Sequence, residues 1–117
     1  MGDSENKLSS DLISGDELVK FFDALSNPIR IKILAVLRDK RQHVSELARK
    51  VNISRPLLYM HLQKLEIAKL VKSNMEISDD GKAMKFYDIN EFEIQVTPEL
   101  LKKASETISK DNSSPRT

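Results

Sequence analysis

The chain has 117 residues, no cysteine and a formal net charge of +1, which suits one compact domain and leaves no room for a catalytic domain beside a regulatory one. Without cysteine there is no disulfide, no thiolate zinc site, no thiol nucleophile and no thiol redox sensor, and a cytoplasmic setting is expected. The charge is unevenly placed: residues 28–72 hold eleven Lys and Arg against three acids, whereas residues 1–27 and 73–117 are net acidic. That asymmetry points to a middle third facing a polyanion, between segments with another task.

Residues 1–13 are polar and acidic, show no signal peptide and are expected to form a disordered tail. Ser14, with Glu17 three residues on, makes a capping box and predicts a helix over 15–25 with Leu18, Phe21, Phe22 and Leu25 on one side. Asn27 and Pro28 restart the pattern as cap and first-turn proline. The second helix carries Ile29, Ile33, Val36 and Leu37 as core candidates. Its aliphatic run from Ile33 to Leu37 is far short of the roughly 20 residues needed to span a membrane.

After the polar link DKRQH, Ser45 is expected to cap a third, two-turn helix bearing Leu47, Ala48 and Val51. Asn52 suits a left-handed turn. Ser54 then caps a fourth helix, running to about Lys69 with Pro56 in its first turn. Short helix, tight turn and longer helix make a helix-turn-helix. At about 100° per residue, Leu58, Leu62 and Leu65 fall in one sector. Arg55, Pro56, Tyr59, Met60, Gln63 and Lys64 point away from it. That outward set offers a guanidinium for guanine or phosphate, an amide for adenine and apolar atoms for thymine methyls. The capped helix start at Ser54 offers amide groups to a phosphate. A groove on a partner protein filled by Tyr59 and Met60 is the competing reading.

Beyond residue 70 the period becomes two. Residues 71–78 and 82–89 read as a hairpin whose turn contains Asp80-Gly81, and FEIQV adds an extended piece. Thr97 and Pro98 open a last helix over 97–110, and residues 111–117 form a second tail.

From about Leu25 to Ile89 the chain resembles the ArsR-type winged helix-turn-helix regulators of prokaryotes. The resemblance rests on ALSNPIRIKILAVL, on VSELARKVNISRPLLYMHLQKLEIAKLV and on the strand-turn-strand ending KFYDI. It implies an α+β winged helix-turn-helix domain over 14–96, with about five helices and a two- to three-stranded wing. It further implies a homodimeric regulator of double-stranded DNA, usually a repressor. Its base-reading positions fall on Arg55, Leu57, Tyr59, Met60 and Gln63. Phosphate contacts fall on Ser45, Arg49, Lys64 and Lys82, with His61 open to two readings, a phosphate contact or a packed histidine. Dimerisation is implied for the first and last helices through Leu18, Phe21, Phe22, Leu100, Leu101, Ala104 and Ile108.

The chain departs from the family where Tyr59-Met60 stands in place of Ser-Arg, where Leu57 replaces Thr, and where Lys69 stands in place of Gly. The Cys-x-Cys of metal-sensing members is replaced by Val44-Ser45-Glu46-Leu47-Ala48, so no metal, cofactor or metal response is expected. No phosphate-binding glycine loop and no nucleophile motif is present, which argues against an enzyme. Regulation is left to DNA occupancy, modification or an unidentified regulatory protein. A winged-helix protein-interaction module without specific DNA binding is the alternative function.

Overall fold

A computed structural model describes residues 7–110. In chain order these form β1 (Leu8–Ser9), α1 (Gly15–Leu25), α2 (Pro28–Asp39), β2 (Gln42–His43), α3 (Val44–Val51), α4 (Arg55–Ile67), β3 (Val71–Ile77), β4 (Ala83–Ile89), β5 (Phe92–Glu93) and α5 (Pro98–Ser105). The helices are delimited by local chemistry. The Ser14 hydroxyl accepts from the Glu17 amide at 3.1 Å while the Glu17 carboxylate accepts from the Ser14 amide at 3.0 Å, the reciprocal box expected from the sequence. Asn27 Oδ1 accepts from the Ile29 amide at 2.8 Å, with Pro28 in the first turn of α2.

The sheet behind the helices has the order β2-β4-β3, both pairs antiparallel, with Val71 opposite Ile89 and Ile77 opposite Ala83. Gly81 turns the hairpin at φ 86°, a conformation that suits a residue without Cβ. Ile33, Leu37, Leu47, Leu58, Leu62, Leu65, Leu70 and Tyr87 are the fully buried side chains that join α2, α3, α4 and the base of the sheet into one core.

Three expectations need correction. Residues 7–13 are not a disordered tail: β1 pairs in parallel with β5, Leu8 opposite Phe92, and Leu8 and Ile13 enter the core. Two apolar residues five apart carry no periodic signal, so only the partner strand shows their purpose. Residues 1–6 and the expected tail at 111–117 lie outside the described residues. His43, not Ser45, caps α3, its Nδ1 accepting from the Ser45 amide at 3.2 Å. The last helix ends at Ser105 rather than near 110.

The two helices expected to dimerise also meet each other within the chain. α5 lies against α1 of the same chain, where the Gly15 amide donates to Thr107 Oγ1 at 2.7 Å and the Ser109 amide to Asp16 Oδ1 at 2.9 Å. Leu18, Phe21, Leu100 and Ala104 are buried within the one chain, in that contact and in the core beneath it; Phe22 and Leu101 remain exposed, and Ile108 is half-buried. Each stripe has covered the other, which two separated stripes in a sequence cannot reveal.

Gly15 is the residue that permits this approach. A Cβ there would stand 2.1 Å from the Ala104 carbonyl oxygen and 2.5 Å from Ile108 Cγ1. Alanine is the better helix former, yet the clash is with backbone and must displace α5. Gly15→Ala is therefore expected to lower stability by about 1–3 kcal/mol, checked by urea unfolding. An unchanged or higher midpoint would show that α1 and α5 do not meet this closely.

Candidate nucleic-acid interface

α4 is seated by its buried side. Leu58, Leu62 and Leu65, at helical spacing, are fully buried, and each contributes on the order of 1.5–3 kcal/mol of apolar burial. Beside them His61 is 9% exposed and Arg30, from α2, is 8% exposed. The Arg30 guanidinium donates to the Ala24 carbonyl at 2.7 Å through Nε and to the Asp23 carbonyl at 3.0 Å through Nη2, and meets His61 Nδ1 at 3.2 Å through Nη1. An arginine has no lone pair to offer, so Nδ1 must be unprotonated and accept. The end of α1, the start of α2 and the middle of α4 are thereby joined at one cation. His61 is accordingly a packed histidine, the second of the two readings open to it in the sequence.

The far end of α4 closes in a Schellman motif. The Leu70 amide donates to the Leu65 carbonyl and the Lys69 amide to the Glu66 carbonyl, both at 2.9 Å. Lys69 takes the left-handed conformation this motif needs, at φ 67°, despite lacking the glycine freedom usual there. Its ammonium reaches Glu17 at 3.2 Å. The Ser14 backbone amide and then Lys69 hold the Glu17 carboxyl below its ordinary pKa.

The outward side of α4 is held but uncovered. Ser54 caps the helix, accepting from the Leu57 amide at 3.3 Å. Arg55 Nη2 donates to the hydroxyl of Ser45 on α3. The sequence paired Ser45 with a phosphate; here it orients the arginine. Leu57, Tyr59 and Met60 are 36%, 44% and 64% exposed, and Gln63 is exposed as well. Lys64 is exposed but tied to Asp23 Oδ2 at 2.7 Å, and that contact holds the Asp23 carboxyl below its usual range. No acidic side chain occurs between Arg55 and Lys64.

α3 and the wing flank this face. Asn52 makes the turn between α3 and α4 at φ 60°. Arg49 is exposed and paired with Glu46 at 2.8 Å. A cleft between the start of α4 and the wing is lined by His43, Arg55, Asp80, Lys82 and Met84 among others. Lys82 is exposed at the tip, its backbone amide bound to the Ser78 hydroxyl at 3.2 Å. Asp80, its pKa lowered by the Ser78 hydroxyl and then the Lys82 amide, keeps the tip anionic. Arg41 braces the wing, stacked 4.3 Å over Phe86 of β4 and paired with Glu76 near the end of β3.

Arg55, Leu57, Tyr59, Met60, Gln63 and Lys64 thus lie on α4 with Ser54 at its cap, Ser45 and Arg49 on the adjoining α3, and Lys82 across the cleft. Arg30 was missed as a positioning residue. Its signal was present: Arg30 occupies an apolar position in the series with Ile33, Leu34 and Leu37. Among the described residues, no group of three or more His, Asp or Glu is placed to hold a metal ion. None of their helices is long and apolar enough to cross a membrane.

α3, its tight turn, α4 and the three-stranded sheet define a winged helix-turn-helix domain. A family model described as "Bacterial regulatory protein, arsR family" matches residues 27–73. An uncharacterized HTH-type transcriptional regulator of Methanocaldococcus jannaschii is 41% identical over 90 residues, covering 77% of this chain and 94% of that protein. Among solved structures, HlyU from Vibrio cholerae superposes with a TM-score of 0.53 at 24% identity, over 78% of this chain and 87% of its own. The homodimeric winged helix-turn-helix DNA-binding domain of a possible ArsR-family regulator from Mycobacterium bovis gives a TM-score of 0.58 at 20% identity, over 78% and 74%. The chain belongs to the arsR family of HTH-type transcriptional regulators.

His61 gives the seating of α4 a pH dependence. Burial, and then the neighbouring Arg30 charge, push its pKa below the ordinary imidazole value. As pH falls below about 6.5 the unfolded chain takes up a proton that the folded chain still refuses, so stability falls until the folded pKa is reached. Thermal unfolding at pH 7.5 and 5.5 is expected to show this loss in the native chain and a smaller one in His61→Gln. Equal losses in both would separate His61 from the effect.

Proposed function

We propose that the chain is a sequence-specific double-stranded DNA-binding repressor that acts in the cytoplasm as a homodimer and does not respond to metal ions. The observation that carries this reading is the outward side of α4, uncovered and free of carboxylates from Arg55 to Lys64. In the major groove Arg55, Leu57, Tyr59, Met60 and Gln63 would meet base edges. The amides capped by Ser54, together with Arg49, Lys64 and Lys82, would meet phosphates. Lys64 exchanges Asp23 for a phosphate on binding. Ser45 serves by holding Arg55.

The family assignment supports a regulator, and the homodimeric state of the Mycobacterium bovis domain supports a dimer. The residual apolar surface of α1 and α5, with Phe22 and Leu101 exposed, is the surface proposed for it. Two copies of α4 would then enter successive major grooves about 34 Å apart on a pseudo-palindromic site.

Titration of random duplex DNA at 50 and 200 mM salt is expected to show a steep loss of affinity. Arg49→Ala should weaken binding to all sequences alike. Arg55→Ala should cost about 1–3 kcal/mol at its own base position and relax preference there. Binding insensitive to salt, or absent at micromolar protein, would favour the protein-interaction module instead. Sedimentation should give the mass of two chains at tens of micromolar protein; a single-chain mass would remove the dimer.

A further inference from the structure

The outward side of α4 is unusual in its hydrogen-bonding inventory. Taking Leu58 as the inward direction, Met60 at about 100° per residue points almost straight out, in line with Pro56 one turn before it. Leu57 and Tyr59 flank that line. Met60 is 64% exposed, the greatest exposure among the large apolar residues of α4. Between Arg55 and Gln63 the other polar side chains are Tyr59, whose hydroxyl lies at the end of a ring on the flank, and the buried His61. The centre of the face therefore brings apolar atoms, with no carboxylate, hydroxyl or amide, to the base edges beneath it.

Each base answers that surface differently. Cytosine presents an amino donor, adenine a donor and an acceptor, and guanine two acceptors; under Met60 these would lose water without gaining a partner. Thymine also presents an acceptor, its O4, but it alone adds a methyl group that Met60 can cover.

Resting on the DNA-binding reading above, we propose that this chain selects thymine through its C5-methyl group, with Met60 as the principal specificity-determining residue and Leu57 as the second. Arg55 and Gln63 supply the polar readout at the two ends of the same face. Arg55 is held by Ser45 at the helix start, and Gln63 stands two residues before the buried Leu65. The half-site is then a guanine or adenine contact at each end of a segment in which thymine methyls meet Met60 and Leu57. Covering an exposed methionine with a methyl group is ordinary apolar burial, so each contacted methyl is expected to change affinity about fourfold.

The test uses the full chain. Duplexes bound from a random pool are sequenced, and the enriched duplex is remade with uracil for thymine one position at a time, which removes only the methyl. The expected result is about fourfold weaker binding at the thymines under the centre of α4, and equal binding of thymine and uracil elsewhere. Met60→Ala, a change at an exposed position whose folding is checked by circular dichroism, should bring the thymine-to-uracil ratio close to one at the strongest of these positions and leave any smaller ratio due to Leu57. A specific site bound equally well with uracil throughout, or one lacking thymine under the helix, overturns this inference and leaves the DNA-binding reading intact. A thymine-to-uracil ratio that Met60→Ala leaves unchanged overturns the assignment to Met60. No enriched sequence and no salt-sensitive binding overturns both readings.

Discussion

Everything proposed for this chain depends on the rotation of α4 about its own axis. Leu58, Leu62 and Leu65 are fully buried, and a turn of 100° would carry them into water and their polar neighbours into the core. The hydrophobic cost of that exchange is several kcal/mol. The same burial that stabilises the domain therefore determines which side chains face outward. Caps at both ends, Ser54 at the start and the Schellman motif at Leu65 to Leu70, limit how far the helix can extend or fray.

The Arg30 contact adds direction to this apolar seating. A leucine at that position would also fill space, but it would bind neither the carbonyls that end α1 nor His61. A buried guanidinium is tolerated only with good partners, and here two backbone carbonyls and a neutral imidazole provide them. Asp23 contributes twice, by its carbonyl to Arg30 and by its carboxylate to Lys64. Asp23 of α1 is thus linked to α4 on its buried side through Arg30 and on its exposed side directly. Any rearrangement of α1, including one on dimerisation, would be felt at Lys64 beside the outward side of α4.

Much of this was legible in the sequence where the cause was local. The capping box at Ser14 and Glu17, the Asn27-Pro28 start, the left-handed Asn52 and the Asp80-Gly81 turn each depend on residues within a few positions, and each stands where expected. The seating side of α4 was legible too, because helical period alone sorts Leu58, Leu62 and Leu65 from Met60. What was not legible depended on distant partners. Leu8 needed Phe92, and the apolar sides of α1 and α5 needed each other. One nearby polar side chain also changed role: His43 took the cap that Ser45 was expected to make, which left the Ser45 hydroxyl for Arg55.

The central claim, that the outward side of α4 is the surface that meets DNA, is tested most directly by amide chemical shifts of isotope-labelled protein during titration with a duplex carrying the selected site. The expected result is that the largest changes fall on residues 54–64, with smaller ones at Ser45, Arg49 and the wing tip around Lys82. Changes confined to α1 and α5, with residues 54–64 unmoved, would contradict it.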